Sequence, residues 1–176
     1  MNATDLDTVL AAATLIVVAV ASVAAIVQLR HLRTSNQLNA LLAILNQWNL
    51  PTVQAALSEL RAIPTKVSDS RYVELLETPG ALDRDAHSEF LALDLWEQIG
   101  TYAKRGLIDE AILLDITSSQ VVNSWKCAES AIAILRKRSG PSAFENFEYL
   151  AVRATLWNRR YPNGTYPAGT RRMQNV

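Results

Sequence analysis

From Val9 to Val27 the chain reads VLAAATLIVVAVASVAAIV, nineteen consecutive positions without a charge. As a helix rising about 1.5 Å per residue, the run covers roughly 28 Å, close to the hydrocarbon thickness of a bilayer. Ten of the nineteen side chains are Val, Leu or Ile, and the rest are Ala with Thr14 and Ser22. At about −0.4 kcal/mol each near a helix centre, the branched residues contribute on the order of −4 kcal/mol toward insertion, with the small residues near neutral. The run therefore predicts a transmembrane helix over residues 9–29, behind a short N-terminus of residues 1–8.

Two competing readings are weaker. A cleaved signal peptide wants basic residues ahead of the apolar stretch, and here Asp5 and Asp7 precede it. A buried core helix seldom stays apolar on every face for so long. Arg30, His31 and Arg33 follow the span at once. By the positive-inside rule they form a membrane-interface collar, which puts the N-terminus outside and the C-terminal part in the cytoplasm. Small residues such as Ala21 and Ala25 would allow close helix approach, but seven alanines in nineteen positions produce that spacing by chance.

No Gly or Pro interrupts the sequence between the span and Pro51, so the helix is expected to continue as a juxtamembrane stalk over residues 30–50. Leu38, Leu41, Leu42, Leu45 and Trp48 fall on one side of that stalk and form a candidate self-association stripe. Residues 51–160 read as a cytoplasmic helical domain. Pro51 opens a helix through Ala62, and Pro64 ends it. A short helix is expected near Arg71–Glu77, and a long one from Asp85 to Arg105. On the long helix Leu91, Leu95, Trp96, Ile99, Tyr102 and Ala103 share a face, with Gly106 just beyond its end. Asp109 is expected to cap a short helix to Ile116, and Ser119 a separate one to Arg138. Gly140-Pro141 precedes a last helix, lined by Phe144, Phe147, Leu150, Ala151, Ala154 and Trp157 and ending near Arg160. The tail, residues 161–176, reads as extended or disordered. No segment shows strand alternation, so the fold class is all-α: a transmembrane helix and stalk followed by a small helical bundle.

The stretch from Leu93 to Ala154 resembles an uncharacterised bacterial family of single-pass, membrane-anchored, all-helical proteins, a domain of unknown function. Trp96-Glu97-Gln98-Ile99-Gly100 and Arg105-Gly106-Leu107-Ile108-Asp109 carry the resemblance, with Trp125 and Phe144 through Leu150. It implies the same topology and a bacterial inner membrane, and it implies no activity.

The residues themselves offer little chemistry. The single cysteine, Cys127, excludes an intramolecular disulfide. His31 and His87 have no companions at ligand spacing, so neither metal nor cofactor is expected. Glu97 and Asp94 invite an acid/base reading, but a structural ion pair between Glu97 and Arg153 is the simpler expectation. The helix–Gly106–helix arrangement resembles a DNA-reading motif, yet the presumed recognition helix is acidic, which excludes phosphate contact. Asn163-Gly164-Thr165 reads as a turn. Net charge is zero, but residues 67–115 hold eleven acids against four bases and residues 116–176 nine bases against three acids. These segments are expected to pair within the fold. The alternative is that Arg136, Lys137 and Arg138, with Arg159, Arg160, Arg171 and Arg172, stay free for anionic lipid. The best functional reading is a non-catalytic interaction or scaffold module, with the bilayer and either an unidentified protein or a second copy as partners. A self-assembling subunit and an effector or enzyme of a stress or phage response are the alternatives.

Overall fold

The computed structural model describes the backbone of residues 3–170 and 172–173, with side chains from Leu10 onward, and contains seven α-helices among them. Helix α1 runs Ala3–Trp48, α2 Pro51–Leu60, α3 Ile63–Lys66, α4 Ser70–Glu77, α5 Glu89–Lys104, α6 Glu110–Ser139 and α7 Glu145–Arg160. Met1, Asn2, Arg171 and residues 174–176 lie outside the described residues, so the ends of the expected N-terminus and tail, and one of the tail arginines, do too. The chain divides into two units, residues 1–39 and 40–176, each described by itself.

The first unit is the greater part of α1. Every side chain from Leu10 to Asn36 is exposed, including Leu15 at 71% and Val17 at 66%. A core helix hides such residues, and this one hides none, which excludes the buried-core reading. The segment is long and apolar enough to cross a membrane. Its two interior hydroxyls are satisfied within the helix: Thr14 donates to the carbonyl of Leu10 and Ser22 to that of Val18, each at 2.8 Å. Neither leaves an unpaired donor for a lipid phase.

The second unit begins inside the last turns of α1 and packs the remaining helices into one bundle. Helix α7 lies against both α5 and α6, α2 packs on α5, and α3 and α4 pack on α6. At the centre Trp96 stacks on Phe147 at 5.9 Å, while Trp48 meets Trp96 edge-on at 4.8 Å and Trp125 meets Phe147 at 5.1 Å. Aromatic pairs in these geometries add about 0.5–1.5 kcal/mol each beyond the area they bury.

Local chemistry explains most boundaries. Pro51 stands in the first turn of α2, where its missing N–H costs nothing, and the Gln54 amide donates to the carbonyl of Trp48 at 2.7 Å. Asp69 caps α4 through the amide of Arg71, and Asp109 caps α6 through those of Ala111 and Ile112. Gly106 takes φ +66°, the left-handed conformation that closes α5.

Three boundaries differ from expectation. Helix α2 stops at Leu60, and Pro64 sits in the first turn of α3 instead of ending a longer helix. Helix α5 starts at Glu89, because Asp83 accepts from the amide of Asp85 at 3.0 Å and holds a turn there. Helix α6 is one unbroken element of 30 residues, with no restart at Ser119. The hydroxyl of Thr117 is turned back onto the carbonyl of Leu113 at 2.8 Å, so the hydroxyl-rich stretch continues the helix instead of capping a new one.

Candidate functional site

Trp96, Glu97 and Gly100 act together where α5 meets the start of α7. Helix α7 has no cap of its own: Phe144 precedes it in the left-handed conformation, φ +55°, and contributes no side-chain hydrogen bond. The missing acceptor arrives from α5. Glu97 Oε2 accepts from the amide of Phe147 at 2.8 Å, and Oε1 from the amide of Asn146 at 3.3 Å and its side-chain Nδ2 at 2.7 Å. A carboxylate at a helix N-terminus satisfies orphan N–H groups and meets the positive end of the dipole. One turn on, a Cβ at Gly100 would sit 2.1 Å from the carbonyl oxygen of Asn146, so only glycine permits this approach. The expected ion pair between Glu97 and Arg153 is thereby corrected. Arg153 instead reaches Glu110, Nε to Oε1 at 2.7 Å, and Tyr149 donates to the other oxygen of the same carboxylate at 3.1 Å. That carboxylate raises the pKa of Arg153, and burial together with Glu110 raises that of Tyr149.

A second polar cluster had no counterpart in the sequence reading. Glu89 is fully buried in the first turn of α5, and its carboxylate is saturated. Lys66 donates to Oε2 at 3.1 Å, Tyr72 to Oε1 at 3.0 Å, and His87 Nδ1 lies 3.2 Å from Oε1. Lys66 also reaches Glu59 at 2.9 Å. Burial alone would push the Glu89 carboxyl up, but a backbone amide, Lys66 and Tyr72 outweigh it and hold the carboxyl below its ordinary range. Burial would likewise lower Lys66, and its two carboxylates outweigh that and raise it. Tyr72 is raised by burial and by the neighbouring Glu89 charge. These hydrogen bonds and the lowered pKa make the carboxylate a weak base. It ties α3, α4 and the turn before α5 to α5.

The other predicted positions separate. Arg30, His31 and Arg33 are exposed on α1. The stalk stripe divides: Leu41 is buried, Leu45 and Trp48 pack on the bundle core, and Leu38 and Leu42 remain exposed at 53% and 48%. Leu41, Leu45 and Trp48 are thus occupied by their own chain, so the five residues do not form one free stripe. Leu91, expected on the buried face of α5, is also exposed.

The basic residues do not converge. Helices α6 and α7 form a hairpin, so Arg136–Arg138 and Arg159–Arg160 lie toward opposite ends of it. Arg136 pairs with Glu148 at 2.7 Å, and Arg138 donates to the carbonyl of Thr78 at 2.9 Å. Of the ion pairs among the described residues, only Arg153–Glu110 joins a base of 116–176 to an acid of 67–115. Asn163-Gly164-Thr165 does form a turn, with Gly164 at φ +75° and Thr165 bonded to Asp115. No cluster of metal-ligating side chains occurs among the described residues. One open cleft of about 410 Å³ lies between α2 and α6, closed on one wall by Trp48.

These features define a class: an all-helical protein with one N-terminal helix long enough to span a membrane and a packed bundle after it. The chain belongs to the family described as a domain of unknown function, DUF4760, whose family model matches residues 15–154. No curated protein and no solved structure matches the chain. The two motifs that carried the resemblance have structural duties. Glu97 and Gly100 set α7 on α5, while Gly106 and Asp109 end one helix and begin the next.

Proposed function

We propose that the chain is a membrane-tethered helical interaction module without catalytic activity of its own, anchored by α1 in a bacterial inner membrane with the bundle in the cytoplasm. The observation that carries this reading is the uncovered apolar surface of α1 from Leu10 to Val27, which packs on nothing in its own unit. Lipid supplies the missing contact. Orientation rests on Arg30, His31 and Arg33 after the span and on the absence of basic residues before it. Against catalysis stands the structural employment of the strongest candidate carboxylates, Glu89 and Glu97, both held in hydrogen bonds. Tethering confines the bundle near a surface and raises its effective concentration for a partner there.

The test is fractionation of cells expressing the full chain, together with the intact mass of the mature protein and a reporter fused after Val176. Pelleting with membranes, an uncleaved N-terminus and a reporter active only in the cytoplasm are expected. Recovery in the high-speed supernatant, cleavage after the apolar run, or a reporter active only outside the membrane would overturn the anchor or its orientation. Crosslinking in intact membranes addresses the module itself, and recovery of the chain alone, as copies linked to one another, would favour a self-assembling subunit.

A further inference from the structure

A groove of about 430 Å³ lies between α6 and α7, apart from the α2–α6 cleft. Val122 and Trp125 of α6 pack half-buried on the core there, and Val152 and Leu156 of α7 stand beside them, 54% and 49% exposed. A partly exposed tryptophan next to two exposed branched side chains makes one shared patch, unlike a single scattered leucine. Charges frame the patch in a set order. Along one face of α7 come Glu148, Val152, Leu156 and Arg159, at i, i+4, i+8 and i+11: an acid, two apolar side chains, then a base. The helix dipole favours acids in a first turn and bases in a last turn. It does not require them to share a face with the apolar pair or to be centred on it. Here both hold. The midpoint of Glu148 and Arg159 falls between Arg153 and Ala154, and that of Val152 and Leu156 falls at Ala154.

We infer that this face joins two copies of the chain, with α7 of one antiparallel to α7 of the other about a two-fold axis at the level of Ala154. The inference rests on the interaction-module reading above and names a second copy as its partner; it makes no use of α1. A two-fold contact employs the same patch on both copies, so the patch has to be its own complement. In the antiparallel register Glu148 of each copy faces Arg159 of the other, and Val152 meets Leu156. A parallel pairing would set Glu148 on Glu148 and Arg159 on Arg159, so the same charges reject it. Lys126 and Glu129 of α6 add one charge of each sign to the groove. Two acids and two bases leave no net field to select an acidic or a basic partner. Glu148 receives Arg136 on Oε2 at 2.7 Å, and with 46% of its side chain exposed it has Oε1 for a second cation.

The experiment measures the mass of the full chain by sedimentation in mild detergent, at about 0.1 M salt and over about 1–100 µM protein. A concentration-dependent dimer is expected, in the weak class that a small patch supports. Glu148→Lys sets two cations against each other at both ends of the contact, and Arg159→Glu sets two anions. Each variant alone is therefore expected to dimerise at least about tenfold more weakly. Mixed one to one, the two variants regain both attractive pairs in the heterodimer, whose affinity is expected within about threefold of the parent's. Mixing cannot repair a fault in folding, so this rescue separates contact from stability. Leu156→Asp is expected to leave monomer, and Leu91→Asp, at an exposed leucine of α5 outside the groove, to change nothing. A parent still monomeric at about 100 µM, or a dimer that tolerates Leu156→Asp and both charge variants, overturns the inference. So do single variants that pair no better mixed than alone. The charge-dependent dimer formed by a chain found in the supernatant would remove the anchor and leave the pairing standing. A chain that pellets with membranes, crosslinks to a different protein and stays monomeric does the reverse.

Discussion

Replacing Glu97 by Ala removes the only side-chain cap that α7 has. Three hydrogen bonds go at once: the Asn146 amide at 3.3 Å, its Nδ2 at 2.7 Å and the Phe147 amide at 2.8 Å. The first is long and contributes least. Loss of a good N-cap costs about 1–2 kcal/mol, and hydrogen bonds to a charged group are worth about 1.5–3 kcal/mol each before their non-additivity is counted. Because Asn146 and Phe147 share one carboxylate, the contributions overlap, and a total near 3 kcal/mol is expected. For a bundle of this size that lowers the melting temperature by about 10 °C. Glu97→Gln keeps the shape and one acceptor oxygen but loses the charge, and is expected to cost about half as much.

The assay is thermal unfolding of the full chain in mild detergent, followed by tryptophan emission. All four tryptophans, Trp48, Trp96, Trp125 and Trp157, lie in the second unit, so the signal reports the bundle and not the apolar span. An Ala variant within about 0.5 kcal/mol of the parent, the range of an ordinary surface change, would refute the capping argument. So would a Gln variant that costs as much as Ala, since its remaining oxygen would then be contributing nothing.

Three further outcomes are expected. Gly100→Ala places a Cβ 2.1 Å from the Asn146 carbonyl oxygen, a backbone atom that cannot swing away, so a loss of at least about 3 kcal/mol or failure to fold is expected; a melting point near that of the parent would show that the two helices do not meet as described. Glu89 gives a pH dependence. Its carboxyl is held below the ordinary range in the folded chain, so its stabilisation is complete above the unfolded value of about 4.3 and is lost as pH falls through the folded one. Glu89→Gln is therefore expected to be less stable at neutral pH yet to lose less on acidification, and melting curves that fall in parallel would contradict this. Val18→Asp, at the middle of the apolar run, shifts insertion by about 3–4 kcal/mol against a total near −4 kcal/mol, and a measurable share of the protein should move to the supernatant. Unchanged pelleting would mean that something other than the span holds the chain to membranes.

What the sequence revealed, and what it hid, follows the range of the interactions. Asp109 was readable as a cap because its partners, Ala111 and Ile112, are two and three residues away. Gly106 was readable because it ends a periodic segment. Glu97 was half readable: a structural role for its carboxylate is the simpler expectation from sequence, but its partners lie 49 and 50 residues downstream, and no local signal distinguishes them from Arg153. Glu89 was invisible. An acid in the first turn of a helix is normally solvated and favoured by the dipole, and nothing local shows that Tyr72 and Lys66, 17 and 23 residues upstream, enclose it. The restart expected at Ser119 failed for the opposite reason, a local signal overridden because Thr117 and Ser118 are buried inside α6.

The stalk stripe carries the same lesson into function. Leu38, Leu41, Leu42, Leu45 and Trp48 lie on one side of α1, and from sequence that side is equally suited to a second copy or to the chain's own bundle. The structure divides it by helix face: Leu41, Leu45 and Trp48 pack on the core of the second unit, while Leu42 in the same unit and Leu38 in the first stay exposed. Trp48 moreover does two jobs, meeting Trp96 in the core and closing the wall of the α2–α6 cleft. The last turns of α1 are therefore part of the bundle and of the wall of that cleft. An interface that consumed the whole stripe would have to pull Trp48 away from both. Leu38 and Leu42 remain exposed on this helix, as do Leu32 and the apolar residues from Leu10 to Leu29, and Trp48→Ala should damage the bundle and its cleft.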